Sequence, residues 1–230
     1  DTMVEGTHFK LEWASWGEVG RKLVASNVSD IAAMGGRPTL ALVSLACPPA
    51  TPVKFIKELY AGIRKECGLW GVTLAGGDSV RAEKVVLTLI LLGEKSRAAA
   101  PCLRSGLVAG QRIYVTGRPG ESGAGLDLLL SEGPAARRDL PWKRRLIARH
   151  LTPTPRLAAG ETLAAAFPDL AMIDISDGLD HELHLLASAS NAEIAIDLDS
   201  IPISPSLRAM EAARRAPAGQ RLGAQRFGPA

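Results

Sequence analysis

Cysteine is scarce in this 230-residue chain: Cys47, Cys67 and Cys102 are odd in number, lie far apart and form no CxxC pair. Neither a disulfide framework nor a zinc site is indicated, and a reducing cytoplasm is the compartment that fits. No apolar run approaches the roughly 18 residues that span a bilayer, and no basic, apolar and small-residue series opens the chain as a secretory signal would. A membrane partner is therefore not expected. The formal net charge is only +3, with no block of Lys and Arg to track a phosphate backbone, so nucleic acid is not an expected partner either. What is present is ordinary globular material, 47% hydrophobic and 22% charged, enough for one or two packed domains.

The apolar periodicity alternates between helix and strand. Residues 2–9 predict a strand end entering a loop, and the absence of an initiator Met before Asp1 leads us to expect a truncated start. Helical spacing of Val19, Leu23, Val24, Val28, Ile31 and Ala32 predicts a helix from Trp16 to Met34, stopped by Gly35-Gly36 and Pro38. Thr39–Ala46 predicts a buried strand and Pro52–Gly68 a second helix. Val72–Ala75 predicts a short strand entering Gly76-Gly77-Asp78, and Val85–Leu92 a further strand. After a polar stretch at 95–100, we place a domain boundary near Ser105. Beyond it we expect strands at Ile113–Val115, Ala171–Ile175 and Glu193–Leu198. Helices are expected near Ser122–Leu130, Trp142–His150, Arg156–Ala166 and Leu179–Ser190, with a polar loop at Ser131–Asp139. From about Ser204 the Ala, Arg and Gly-rich tail is expected to be poorly anchored. This alternation predicts an α/β or α+β fold.

Five aspartates stand at the ends of apolar segments or in small-residue turns: Asp1, Asp30, Asp78, Asp174 and Asp177. Carboxylates contributed by separate segments suit Mg²⁺ bound together with phosphates. Each could equally cap a helix or form a turn, since Asp favours both roles. Residues 116–125, TGRPGESGAG, follow an expected strand and open an expected helix, an arrangement that aims backbone N–H groups at an anion or simply makes a tight turn. That run is neither GxGxxG nor a Walker A loop, and Lys22 is no substitute for the lysine of one. His8 could donate to a phosphate or be solvated. Arg104 could fork onto a phosphate or lie on the surface. Tyr60 suits a rim aromatic or an adenine contact. No Cys–His or Ser–His spacing marks a covalent nucleophile.

Seven segments in order, DTMVEGTHF from Asp1, NVSDIAAMGGRP from Asn27, GGDS from Gly76, LRSG from Leu103, YVTG from Tyr114, HLTPTPR from His150 and IDISDGL from Ile173, resemble the thiamine-monophosphate kinase family over about residues 1 to 204. NVSDIAAMGG and DISDGL are shared with the wider superfamily of aminoimidazole ribonucleotide synthetase, selenophosphate synthetase and a hydrogenase maturation factor. VEGTHF and HLTPTPR lean towards the kinase. The resemblance implies a two-domain fold like that of the ribonucleotide synthetase: residues 1–105 form an N-terminal mixed-sheet half that binds ATP and Mg²⁺ and dimerises, and residues 106–230 an α/β half with an atypical tail at 205–230. It implies ATP as co-substrate and thiamine monophosphate as acceptor, with thiamine diphosphate and ADP as products, Mg²⁺ as the metal, room for K⁺, and a homodimer. Matched residue by residue, Asp1, Asp30, Asp78, Asp174 and Asp177 would ligate Mg²⁺, with Asp78, Asp174 and Asp177 also catalytic. Tyr60, Gly77, Arg104 and Ser176 would contact ATP, and His8 the thiamine phosphate. The chain departs from the family pattern in lacking an acidic Gly-Asp-Asp segment before Asp1 and a Gly-Gly-Glu-Asp-Tyr-Glu segment after the position where its own tail begins, and in carrying Glu182 where Asp is usual. A fragment is the expectation that follows. Another ATP-using member of the superfamily and a non-catalytic nucleotide-binding remnant are the alternatives.

Overall fold

The computed structural model describes residues 1–95, 100–167 and 169–215. Most of the polar stretch expected at 95–100, and the tail from 216 onward, lie outside the described residues. Contacts divide the chain into two compact units, one of Asp1–Thr116 with Leu151–Ala195 and the other, among the described residues, of 117–150 with 196–215. The boundary expected near Ser105 falls inside the first unit.

The first unit is built on a four-stranded mixed sheet in the order β1-β4-β2-β3. Its strands are β1 (Thr2–Val4), β2 (Arg37–Cys47), β3 (Thr73–Arg81) and β4 (Val86–Glu94). β4 pairs antiparallel with β1 and β2, whereas β2 and β3 run parallel. That parallel step is possible because helix α2 (Val53–Trp70) carries the chain back between them. The pleat sends Ala41, Val43, Leu45, Leu87 and Leu89 into the core and leaves Leu42, Val80, Ile90 and Leu92 exposed. β2 is thus buried on one face rather than along its whole length.

Helix α1 (Trp16–Ala33) starts in a reciprocal cap, Ser15 Oγ accepting from the Glu18 backbone N–H while Glu18 accepts from the Ser15 N–H. Its face of Leu23, Val24 and Val28 meets Leu59 and Ile63 of α2, all with no more than 1% of their surface exposed. The two helices approach closely because glycines stand at the crossing: a Cβ on Gly62 would lie 2.1 Å from the Gly17 carbonyl oxygen. Helices α5 (Leu157–Ala166) and α6 (Leu179–Ser190) complete this unit.

The second unit packs α3 (Glu121–Glu132), a 3-10 turn at Gly133–Arg138, α4 (Pro141–Leu151) and α7 (Pro205–Arg215) around Leu128, Leu129, Leu146, Ile147 and Met210. Its buried charges are compensated locally. Lys143 donates to Glu132 and Asp139, and Glu121 accepts from Arg145 and pairs with Arg149.

Four expectations are corrected. The segments at 113–115, 171–175 and 193–198 are not strands. Their apolar residues favour extension, but no neighbouring strand pairs with them among the described residues, and Tyr114 is 83% exposed. β3 does not end at Ala75; it continues through Gly76-Gly77-Asp78 to Arg81 after a register shift opposite Ala41 and Leu42. The loop at Ser131–Asp139 contains the 3-10 turn. The start of the tail is anchored: Ser204 Oγ accepts from the Leu207 N–H, Pro205 opens α7, and Ser206 and Met210 are buried. Ser-Pro at a helix start was the overlooked signal.

Candidate functional site

Most of the candidate residues gather at the C-terminal end of α1. Asn27, buried on α1, accepts through Oδ1 from the Asp1 backbone nitrogen, which also donates to the Leu89 carbonyl. These bonds hold the start of β1 against the helix. Past the end of α1, the Met34 carbonyl accepts from the Cys102 N–H, so the segment bearing Arg104 is tied to the same helix end. The Leu103 carbonyl accepts from the Met172 N–H, bringing in the segment that bears Asp174. Ser190 of α6 clamps the Arg104 segment further, its hydroxyl donating to the Arg104 carbonyl and accepting from the Leu107 N–H. Three stretches far apart in sequence therefore meet through main-chain bonds.

The result brings Asp174 near enough to Asp30 for its charge to act there. Asp30 is raised above the ordinary carboxylate range by burial and by the charge of Asp174, with Arg104 acting in the opposite sense. Asp174 is raised by burial and by Glu182, against a hydrogen bond from Ser29 and the charge of Arg104. Like charges held together in a partly dry site are electrostatically unfavourable unless a cation joins them. Glu182, only 3% exposed, accepts from the Asp177 N–H and the Ser176 hydroxyl and so fixes the turn that follows Asp174. Asp177 itself is exposed.

A second patch lies along β3, where an open cleft is lined by Tyr60, Gly76, Gly77, Asp78 and Ser79. The Tyr60 hydroxyl, raised by burial, bonds to Ser79. Gly77 is required there by close approach, since a Cβ would lie 1.8 Å from the Val43 carbonyl oxygen. Asp78 pairs in register with Ser44 and accepts from the Ser79 N–H. His8 stands on the turn after β1, its Nδ1 accepting from the Val4 N–H.

The structure thus brings Asp30, Arg104 and Asp174 together, with the Ser176–Asp177 turn beside them, and sets Tyr60, Gly77 and Asp78 in their own cleft. Among the described residues no three His, Cys, Asp or Glu side chains form a group able to hold a metal by themselves. Mg²⁺ does not demand one, because it keeps several waters and binds through one or two carboxylates plus substrate phosphates. The Asp30–Asp174 pair fits that donor set. Sequence reasoning missed Asn27 and Ser29, although both closely precede Asp30 on α1 and a polar pair beside a site acid was the available signal.

Fold and sequence first define the class. Residues 1–94 match the AIR synthase related protein, N-terminal domain. The chain is 42% identical over 208 residues to thiamine-monophosphate kinase of Bacillus subtilis, covering 90% of this chain and 63% of that protein. It superposes with a TM-score of 0.84 on the crystal structure of thiamine monophosphate kinase from Aquifex aeolicus, at 33% identity, covering 94% of this chain and 70% of that one. The structure of AaThiL complexed with AMPPCP and TMP also gives a TM-score of 0.84 at 33% identity, over 94% of this chain and 66% of that one. The chain belongs to the thiamine-monophosphate kinase family, and it spans somewhat less than two thirds of the length of the Bacillus subtilis relative.

Proposed function

We propose that this chain carries the phosphoryl-transfer site of a thiamine-monophosphate kinase, moving the γ-phosphoryl group of ATP to thiamine monophosphate and giving thiamine diphosphate and ADP. The observation that carries this reading is the gathering of Asp174 and Arg104 close enough to Asp30 to act on its charge, in a chain whose relatives bear that name.

Asp30 and Asp174 would hold Mg²⁺, with Asp1, Asp78 and Asp177 as further ligands. Bound there, Mg²⁺ supplies charge neutralisation and orientation to the phosphates. Arg104 offers a planar fork for phosphate oxygens, while Tyr60, Gly77 and Ser176 contact the nucleotide. Asp78, Asp174 and Asp177 act catalytically by positioning, because phosphoryl transfer needs placement and charge stabilisation more than covalent help. The acceptor phosphate, with a second pKa of about 6, is already a nucleophile near neutral pH, so no strong base is demanded. His8 binds that phosphate. With Nδ1 accepting from Val4, its proton resides on Nε2, where it can donate.

Two further parts of the reading concern assembly and compartment. The exposed row of Leu42, Val80, Ile90 and Leu92 on the open sheet face supports a homodimer through the N-terminal half. Residues 1–105 and 106–230 would be its two domains. The cytoplasm is the proposed compartment, consistent with free cysteines; no helix among the described residues is long and apolar enough to cross a membrane. The test is incubation of purified chain with ATP, MgCl₂ and thiamine monophosphate, with and without KCl, and chromatography for thiamine diphosphate. Product formed only with both substrates supports the reading. No product, with ATP still raising the melting temperature, replaces it with a binding-only remnant.

A further inference from the structure

Resting on the homodimer part of that reading, we propose that a polar stripe across the open sheet face fixes how two copies of this chain meet. Register partners draw the stripe: Thr2 on β1 lies opposite Thr88 on β4, Thr88 opposite Ser44 on β2, and Ser44 opposite Asp78 on β3. Residues directly opposite one another in a ladder point to the same face, and the Thr2 and Thr88 hydroxyls bond at 2.8 Å. The stripe therefore crosses the strands from one edge of the sheet to the other, about 14 Å at the usual strand spacing. The rows on either side of it are apolar. Leu42 with Ile90 stands on one side and Ala46 with Val80 and Val86 on the other, and Leu42, Val80 and Ile90 are exposed.

The two ends of the stripe differ, and the difference selects both the occupant and its orientation. Asp78 offers a carboxylate at the β3 edge, while Thr2, Thr88 and Ser44 carry hydroxyls that can donate. A purely apolar partner would bury these groups unpaired, which is costly. A second copy packed face to face and turned about a two-fold axis parallel to the strands lays the same stripe over the first in reverse. Asp78 then stands opposite the partner's Thr2, Ser44 opposite the partner's Thr88, and Ile90 opposite the partner's Leu42. Polar groups meet polar groups and apolar rows meet apolar rows. A two-fold axis along the stripe also stacks apolar on apolar, but it sets Asp78 against the partner's Asp78, and two carboxylates so placed repel. The face is thus its own complement in one orientation and opposes itself in the other.

A cation at position 2 gives the two orientations opposite signs. With the axis along the strands, Thr2→Lys puts an ammonium against the partner's Asp78 twice in each dimer; with the axis along the stripe, it puts two ammonium groups against each other. Lys is well tolerated on an edge strand, and Thr2→Arg repeats the test should Thr2→Lys not fold. Dimer dissociation constants of the full chain would be measured by analytical ultracentrifugation in EDTA at low and high salt, with circular dichroism checking the fold. We expect Thr2→Lys to tighten dimerisation about tenfold at low salt, the combined worth of two exposed ion pairs, and to lose that gain at high salt. Thr2→Val should show no gain, and adding Asp78→Asn to Thr2→Lys should abolish it. A wild-type dimer that Thr2→Lys leaves unchanged or weakens overturns the proposal and leaves the homodimer standing. A wild-type chain that stays monomeric overturns both, and the phosphoryl-transfer reading still answers to its own assay.

Discussion

Replacing Asp174 by Asn should make the ligand-free chain more stable and its response to Mg²⁺ and nucleotide weaker. Both carboxyls of the Asp30–Asp174 pair are raised by burial first, so the folded state takes up protons more readily than the unfolded chain. The penalty they impose is therefore present at neutral pH and fades as pH falls through their folded range. Coulomb's law puts a like-charge pair closer than a Debye length at about 2 kcal/mol for an effective dielectric of about 20. Asp30 is exposed, and solvent screening reduces the figure to about 1 kcal/mol. An amide removes that repulsion while its oxygen still accepts from Ser29. For a chain of this size the gain corresponds to about 2 to 4 °C in melting temperature, read by scanning calorimetry in EDTA at pH 7.5. In the wild type, ATP and Mg²⁺ at about 100 times the dissociation constant should add about 2.7 kcal/mol, and the Asn variant should lose most of that increment. A variant that melts lower than wild type in EDTA, or that retains the full response to Mg²⁺ and ATP, refutes the reasoning.

Three other outcomes are expected. Gly62→Ala, whose new Cβ would meet the Gly17 carbonyl at 2.1 Å, should force α1 and α2 apart and lower stability by about 2 to 3 kcal/mol; an unchanged urea midpoint would contradict the close crossing. Cys67, buried and pushed up to about 11 by desolvation and by Glu66, should have roughly one thiol in a thousand ionised at pH 8. Iodoacetamide should therefore modify half-buried Cys47 well before Cys67, a rank that peptide mass spectrometry checks and equal rates would reverse. Arg104→Gln removes the cation facing both carboxylates and should cost about tenfold or more in affinity for a fluorescent ATP analogue; unaltered binding would take Arg104 out of the site.

Periodicity made the first half of the fold legible. The apolar spacing of Val19, Leu23, Val24 and Val28 located α1, and the runs at Thr39–Ala46 and Val85–Leu92 located β2 and β4. Strand expectations failed where extension depends on a partner: Ile113, Tyr114 and Ile175 have strand-forming side chains, but a ladder also needs a neighbour, which composition does not encode. The continuation of β3 through two glycines was hidden because Gly-Gly-Asp is ordinarily turn chemistry; its place beside β2 comes from tertiary pairing. In the site, the individual acids were visible from their positions next to apolar segments. The facing of Asp30 and Asp174 was not, because it is set by main-chain bonds from Met34 to Cys102 and from Leu103 to Met172, and these leave no residue-type signature.

The meeting of Asp30 with Asp174 also fixes an order of events during synthesis. At roughly 5 to 20 residues per second a ribosome takes on the order of 10 s to travel from one codon to the other. Through that interval α1, α2 and the four strands can assemble, since β1 pairs with β4 and α1 packs on α2 and β4, all encoded before Asp174. Asp30 spends the whole time without Asp174 beside it, so the hydrophobic core can form before the repulsion between these two exists. The unfavourable juxtaposition is then imposed by a scaffold already in place. A nascent chain halted before Met172 should consequently fold its sheet and bind Mg²⁺ more weakly than the full chain at this helix end.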